Sequence, residues 1–481
     1  MTTSPGSPRR GWLAPVVYLS NNWISLLGVV IVTSATVFWL VMLPSTLRGE
    51  VANPYSGILM YLALPGIFFS GLILIPLGIL WEKRRERVSG KMPANFPPLD
   101  FQNRELRRLV AFIGVTTFAN VIIAGQLSYS AVNYMDSVTF CGQTCHTVMQ
   151  PEFTAYQNSP HSRVECVQCH IGPGAGWFVR SKLSGVRQVF AVTFHTYSRP
   201  IAAPVHDLRP ARETCEACHW PQQYGGDRLK VISKFADDEH NTATKTVLMM
   251  HIGGGNGRVG IHGVHMGPGI RIRYAHSDEK RQVIPWVEYK DASGKATAYT
   301  STDAKGSMPG NLDVREMDCI DCHNRPTHAY QLPEPAVDLK LADGSIAPGL
   351  PFAKKTAVAL LKAAYASREE AEAKIPAAFE AFYREKYPDV YAAKRDDIEH
   401  SARGVLAVYE RNVFPDMNVT WGTYPNNIGH TDFPGCFRCH DDSHVAAAGG
   451  AKITQDCGAC HNMLAMEEAA PKVLTELGLE K

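Results

Sequence analysis

The sequence has almost no net charge. In 481 residues, 48 lysines and arginines nearly balance 46 aspartates and glutamates, which leaves a net charge of +2. This balance argues against a nucleic-acid binder that depends on overall basicity. Hydrophobic residues make up 45% of the chain and charged residues only 20%, a composition that excludes global disorder. The length predicts about two to four structural units.

Three stretches lack charged residues altogether: 11–47, 51–81 and 109–135 contain no Asp, Glu, Lys or Arg. About 20 apolar residues are enough for a helix to cross the hydrocarbon core of a bilayer. Buried core helices are the alternative, but these runs exceed the usual apolar stretch of such a helix. We therefore predict three transmembrane helices, near Trp23–Leu43, Gly57–Leu80 and Leu109–Ser130.

Lysine and arginine are unevenly distributed around these runs. Arg9 and Arg10 precede the first run, and the 82–108 loop carries eight lysines and arginines. After the third run neither residue occurs until Arg163. Because cytoplasmic loops carry the excess of Lys and Arg, the N-terminus and the 82–108 loop are predicted to be cytoplasmic. The chain after about residue 131 would then lie on the outer, periplasmic side of a bacterial inner membrane.

No cysteine stands outside a pair, and each of the six pairs is followed at once by histidine. Five are C-x-x-C-H and the first is stretched by one residue, and we number them motifs one to six. This is the attachment signature of haem c: two thiols bond to the haem and the histidine is the proximal iron ligand. We predict six covalent haems. The cysteines are Cys141, Cys145, Cys166, Cys169, Cys215, Cys218, Cys319, Cys322, Cys436, Cys439, Cys457 and Cys460, and the histidines are His146, His170, His219, His323, His440 and His461.

Other uses of paired cysteines explain this pattern less well. Disulfides would not require a histidine after every pair. Structural zinc needs two pairs to meet, and histidine need not follow directly. A thioredoxin-type pair would be single and would lie in a βαβ context.

The predicted fold is mainly α with extensive loops. Residues 1–135 form the membrane anchor, 136–330 a four-haem domain, 331–412 a helical segment and 413–481 a segment with two haems. Within the four-haem domain, a small β insertion is expected at about 240–300. It would contain the strand-like runs Thr246–Ile252, Gly269–Tyr274 and Gln282–Tyr289. The helical segment is expected to break near Pro376 and Pro388.

Gly255, Gly257 and Gly260 match the G-x-G-x-x-G pattern of dinucleotide sites. That site needs a helix directly afterwards. The next residues, Ile261-His-Gly-Val-His-Met-Gly-Pro-Gly, are not expected to sustain one. We therefore reject a dinucleotide site and assign these glycines to close backbone approach in a turn.

The run from Cys141 through Ser159-Pro160-His161, motif two, Arg180-Ser-Lys182 and motif three to Trp220-Pro221 resembles the NapC/NirT family. Members are membrane-anchored periplasmic quinol dehydrogenases with four haems, and the resemblance covers roughly residues 136–330. The three-span head and the extra C-terminal haems look more like the larger inner-membrane ImcH-type cytochromes of metal-respiring bacteria.

The resemblance implies roles for three residues outside the motifs. His161 matches the distal ligand of the fourth haem, whose proximal ligand here is His323. His328 matches the distal ligand of the second haem, whose proximal ligand is His170. Lys182 matches the lysine beside the quinol pocket.

Other positions depart from the family pattern. The acidic residue expected near position 189 is replaced by Val189. The methionine that some members place two residues after the first motif histidine lies three residues after it here, as Met149. The chain has 18 histidines, so distal ligands are in surplus. Candidates for the third haem are His251, His262 and His265, and those for the terminal pair are His430 and His444.

The function implied by the resemblance is a quinol-oxidising electron conduit to a periplasmic redox protein or complex. Two alternatives stay open. A reductase of a small oxyanion would need an iron with an exchangeable position. A relay subunit of a larger respiratory complex would have no quinol site of its own.

Overall fold

The computed structural model describes residues 14–47, 62–93, 102, 104–144, 146–205, 208–220, 225–254, 260–303, 312–447 and 449–479. It divides into two compact units, Met1–Cys145 and His146–Lys481.

The first unit is helical. Its elements are α1 (Ala14–Leu19), α2 (Trp23–Leu47), α3 (Leu64–Ser89), α4 (Arg104–Asp136) and a π-helix (Phe140–Thr144). Helices α2 and α3 pack closely through glycine, since a Cβ added at Gly28 would lie 2.7 Å from the Gly71 carbonyl oxygen. Small residues at such contacts are typical of helix pairs in membranes.

Two helical stretches, Trp23–Val41 and Leu64–Ser89, are long and apolar enough to cross a membrane. They overlap the first two predicted spans, although the second stretch begins and ends later than predicted and residues 57–61 lie outside the described residues. The predicted third span falls within α4, several of whose side chains lie outside the described residues. The same holds for Arg9 and Arg10, on which the predicted topology partly depends.

The second unit combines helices and strands. Its helices are α5 (His146–Gln157), α6 (Cys166–His170), α7 (Ala175–Thr193), α8 (Ala211–Cys215), α9 (Gly260–Met266), α10 (Cys319–Cys322), α11 (Pro333–Ala342), α12 (Ala353–Leu361), α13 (Arg368–Lys386), α14 (Pro388–Ala393), α15 (Arg395–Asn412), α16 (Cys457–Cys460) and α17 (Lys472–Glu476). Its strands are β1 (Arg228–Phe235), β2 (Ala243–Met250), β3 (Arg271–His276), β4 (Trp286–Lys290), β5 (Ala296–Ser301), β6 (Asp313–Glu316), β7 (His444–Ala446) and β8 (His461–Glu468).

The strands form two antiparallel sheets, ordered β1-β2-β8 and β6-β3-β4-β5-β7. Strands β2, β3 and β4 overlap the three strand-like runs predicted from the sequence. Strands β7 and β8 come from the C-terminal segment, and each completes one sheet. The last two haem motifs are thereby built into the β region, which the sequence did not predict.

Helices α11 to α15 form a layer with a conventional apolar core, in which Ile375 and Phe379 are fully buried. The expected break at Pro376 is wrong, because α13 runs through this residue. Burial of Ile375 and Phe379 stabilises the helix although Pro376 has no backbone N–H to donate to the preceding turn. Pro388 does mark a boundary, since it is the first residue of α14, where its fixed φ suits a helix start.

The segment after Gly260 also differs from the prediction. It forms α9, a helix of seven residues, although glycine and proline surround it. Gly255 and Gly257 lie outside the described residues.

Candidate haem-binding sites

The cysteines of motifs two, four and six lie on single helical turns. Residues three apart on a helix share a face, so both thiols of a C-x-x-C pair point the same way. Two of these turns have a side-chain N-cap: Asp318 accepts from the Cys319 N–H (2.7 Å), and Asp456 accepts from the Gly458 N–H (3.0 Å). Each of the helices α6, α10 and α16 thus presents two thiols on one face.

Each histidine of motifs two to six faces the ring of a second histidine. The ring centroids are 5.9–6.3 Å apart in all five cases. The pairs are His170 with His328, His219 with His161, His323 with His262, His440 with His265, and His461 with His430.

This separation fits an iron held between two imidazoles. Two metal–nitrogen bonds of about 2 Å each, plus the distance from each nitrogen to its ring centre, amount to about 6 Å. The residues present therefore fit a haem with two histidine ligands at each of the five sites.

Hydrogen bonds orient several of these rings. Nδ1 of His265 lies 2.7 Å from the Ile261 carbonyl oxygen, that of His328 lies 3.0 Å from the Glu152 carbonyl oxygen, and that of His440 lies 3.1 Å from the Thr454 carbonyl oxygen. An Nδ1–H donor to a carbonyl fixes the tautomer and leaves Nε2 for a metal.

Burial lowers the pKa of six paired histidines below the ordinary value, because it disfavours the charged imidazolium. A neutral imidazole is the form that binds a metal. The six are His170, His262, His265, His323, His328 and His461.

Motifs two to five touch in chain order, and α9 links motif five to motif six. Helix α6 contacts α8, which joins motif two to motif three. Helix α8 also contacts α10, which joins motif three to motif four. The Arg438 Nη2 donates to the Asp321 carbonyl oxygen (2.6 Å), which joins motif four to motif five. Helix α9, which carries the partner of His440, contacts α16 of motif six. The arrangement is a continuous series of sites.

Asp321, the third residue of motif four, is 3% exposed and sits in a network of donors. Its carboxylate accepts from the Tyr274 hydroxyl (2.6 Å) and from Arg315 Nη2 (3.2 Å). Arg281 Nη1 lies 3.6 Å away. Burial and the neighbouring Asp321 raise the pKa of Tyr274, so its hydroxyl keeps its proton. The network fixes motif four against the β3–β6 edge.

A second network supports His328. Its Nδ1 is also 3.1 Å from the Glu152 carboxylate, and Glu152 pairs with Arg325 (3.2 Å). The Arg325 guanidinium lies 4.2 Å from the centroid of the Tyr424 ring. A carboxylate behind a ligating histidine orients the ring and raises its basicity.

Lys182 lies on α7, a helix with no buried residue. Its ammonium is 4.9 Å from the centre of the Phe178 ring, one turn earlier. Leu183 and Phe190 are 68% and 59% exposed, so α7 presents apolar side chains as well as cations.

Comparisons with known proteins agree with this arrangement. Residues 103–203 match the model of the NapC/NirT cytochrome c family, N-terminal region. The chain is 41% identical over 448 residues to the cytochrome c-type protein ImcH of Geobacter sulfurreducens, an alignment that covers 92% of this chain and 88% of that protein. The chain belongs to the NapC/NirT cytochrome c family.

A shorter similarity links this family member to the cytochrome c-type protein NrfH of Wolinella succinogenes. The two are 29% identical over 92 residues, which cover 18% of this chain and 51% of that protein. No solved structure matches the chain.

For this NapC/NirT member, the structure changes the partner that the family pattern implies for His161. That pattern sets His161 opposite His323, whereas the structure pairs His161 with His219 and His323 with His262. The candidates for the third haem are therefore wrong, since the ring that faces its proximal His219 is that of His161 and none of His251, His262 and His265. His328 does face His170, as the pattern implies.

Two candidate distal ligands have other roles. His444 is 1% exposed, and its two ring nitrogens lie 2.8 Å from Asp441 Oδ1 and from the Ile284 carbonyl oxygen. Neither nitrogen is left for iron, so the expectation for His444 is wrong. His251 is not among the paired rings. Its Nδ1 is 3.1 Å from Asp227 Oδ1, and this hydrogen bond raises the pKa of His251.

The structure describes motif one only in part. Cys145 and the side chain of His146 lie outside the described residues. Met149 is half-buried on α5, and its assignment to the first iron stays a prediction.

Sequence reasoning missed Asp321 and Arg438. Both occupy the position before the second cysteine of their motif, in C-I-D-C-H and C-F-R-C-H. Opposite charges at equivalent positions of consecutive motifs were the available signal. It missed Glu152 as well, for which no local signal exists, because its partners lie more than 170 positions away.

Proposed function

We propose that this protein is a membrane-anchored cytochrome with six haem c groups that oxidises membrane quinol and relays the electrons to a periplasmic redox protein or complex. The observation that carries the proposal is the set of five facing histidine pairs at the attachment motifs. The contacts between motifs two to five, and the link from α9 to motif six, support a relay through these five sites.

The proposed organisation follows the sequence. Residues 1–135 anchor the chain through three transmembrane helices, and 136–330 carry the first four haems. The helical layer of 331–412 carries none, and 413–481 carries the last two. We place the protein in a bacterial inner membrane, with the N-terminus in the cytoplasm and the haem-bearing part in the periplasm.

Bound haem would supply reversible one-electron chemistry at its iron. The chain's own residues hold the imidazoles in place. Backbone carbonyls orient His265 and His440, and the Glu152 carboxylate backs His328. Lys182 is our candidate for the quinol pocket, where its ammonium would stabilise negative charge developing on a quinol oxygen.

A reductase of a small oxyanion fits the geometry less well. It needs an iron with an exchangeable position. At five sites a second imidazole lies 5.9–6.3 Å from that of the motif histidine and could take that position. A relay subunit without its own quinol site differs from our proposal in one measurable respect: the purified chain would not oxidise quinol.

We expect six covalent haems. Intact mass of the purified protein, compared with the mass of the bare chain, should exceed it by six haems. Five would indicate that the stretched Cys141/Cys145 pair is empty, and no added mass would overturn the proposed function.

The orientation is tested with protease added to spheroplasts. The 82–108 loop, with its eight lysines and arginines, should be protected, and the haem-bearing part should be cleaved. Cleavage of the loop together with protection of the haem-bearing part would reverse the orientation.

A further inference from the structure

Helix α9 begins against the residues that directly follow β2. Gly260, its first residue, has φ +75°, and a Cβ there would lie 2.5 Å from the Gly253 nitrogen and 2.6 Å from the His251 carbonyl oxygen. Only glycine tolerates both this φ and this approach. The Ile261 and His262 N–H groups donate to the carbonyls of His251 and Ile252, each at 2.8 Å. Helix α9 is therefore docked on the end of β2 by its first turn.

Two histidines three residues apart on this helix face different motifs. His262 lies 6.2 Å from the His323 ring of motif four, and His265 lies 5.9 Å from the His440 ring of motif five. The Ile261 carbonyl orients His265, and a backbone hydrogen bond with Gly253 orients His262.

Motifs four and five are also joined by hydrogen bonds that do not involve α9. Arg438 of motif five donates to the carbonyl oxygens of Asp321 (2.6 Å) and Arg281 (2.8 Å). The Asn427 side chain donates to the same Asp321 carbonyl (3.1 Å). These hydrogen bonds hold motifs four and five together without α9. His262 and His265 are placed on α9 so that each faces the histidine of one of these motifs.

We propose that α9 supplies the distal ligands of two consecutive irons, His262 to that of motif four and His265 to that of motif five. One short helix would then join the four-haem part of the chain to its C-terminal pair. This inference rests on the proposed haem attachment. It adds that one helix, α9, provides the second ligand of two irons.

The assignment is tested with His262→Met and His265→Met in the full-length protein. Methionine opposite histidine raises the potential of a haem relative to two histidines. Near-infrared magnetic circular dichroism distinguishes the two ligand sets, and potentiometric titration reports the midpoints. Each variant should convert one bis-histidine iron to histidine–methionine and raise one midpoint, while intact mass still shows every haem attached.

Gly260→Ala should alter both sites at once, because it displaces the whole helix. The matched control is His276→Met, on neighbouring β3, where the ring contacts Tyr274. It should leave the number of bis-histidine irons unchanged.

The proposal fails if His265→Met or His262→Met keeps the wild-type spectrum and midpoints while the mass shows the full haem content. It also fails if His276→Met changes the spectrum as the α9 variants do. Wild-type protein without attached haem would instead refute the proposed function. The single-histidine variants decide the matter even if Gly260→Ala does not fold.

Discussion

Replacing Lys182 with Gln should slow reduction of the protein by quinol about 10²-fold, while haem content and full reduction by dithionite stay unchanged. Quinol oxidation releases protons together with electrons, so negative charge develops on a quinol oxygen as it reacts. An ammonium placed at such an oxygen, in a site that excludes water, contributes about 10²–10³-fold to the rate. Stopped-flow mixing with a reduced quinol analogue, followed at the haem absorption, gives the rate.

Arg180→Gln and Arg187→Gln are the matched controls, because they remove a cation from the same helix. Arg180 lies over the Trp177 ring, 5.1 Å from its centroid, and not over Phe178. If all three variants slow the reaction equally, α7 acts through its overall charge at a lipid surface. A wild-type rate for Lys182→Gln would place the quinol site elsewhere, in keeping with the absence of an acid at Val189.

Asp321→Asn should destabilise the haem-bearing unit by about 3–5 kcal/mol, since removing one partner leaves buried charge uncompensated. Arg315 and Arg281 both lie against this carboxylate, which is almost fully buried. The asparagine keeps the shape but neutralises the charge. Urea unfolding of the detergent-solubilised protein, followed by circular dichroism, measures the difference in the free energy of unfolding.

The control for this variant is Asp313→Asn on β6, whose side chain is 84% exposed. Exposed substitutions usually change stability by less than about 0.5 kcal/mol. Equal urea midpoints for Asp321→Asn and the wild type would show that the buried network contributes nothing to stability.

The sequence predicts haem attachment from local chemistry alone. Two thiols three residues apart and an adjacent histidine specify one helical turn without reference to the rest of the chain. The partner histidines could not be assigned in the same way. His328 is 158 positions from the ring it faces in motif two and His265 is 175 from His440, so only the folded chain brings these rings together.

Two errors in the predicted fold have a common origin. Glycine and proline were read as helix breakers after Gly260 and at Pro376. In both places tertiary contacts outweigh local preference: docking on the end of β2 supports α9, and a buried apolar face supports α13. The predicted β region contains three of the observed strands, β2, β3 and β4, each of which overlaps one predicted run. It was incomplete, because β1, β5, β6, β7 and β8 were not predicted; of these, β7 with three residues is too short to give a signal.

The helical layer of α11 to α15 begins and ends at nearly the same point. The Gln331 N–H donates to the Asn412 side chain (2.8 Å), and the Tyr330 ring lies 6.4 Å from the Phe414 ring. A module whose two ends meet can be gained or lost in one genetic event without displacing its surroundings. Asp321 and Arg438 touch although 117 positions separate them. The spacing of consecutive motifs along the sequence is therefore no measure of the distance between them in the folded chain.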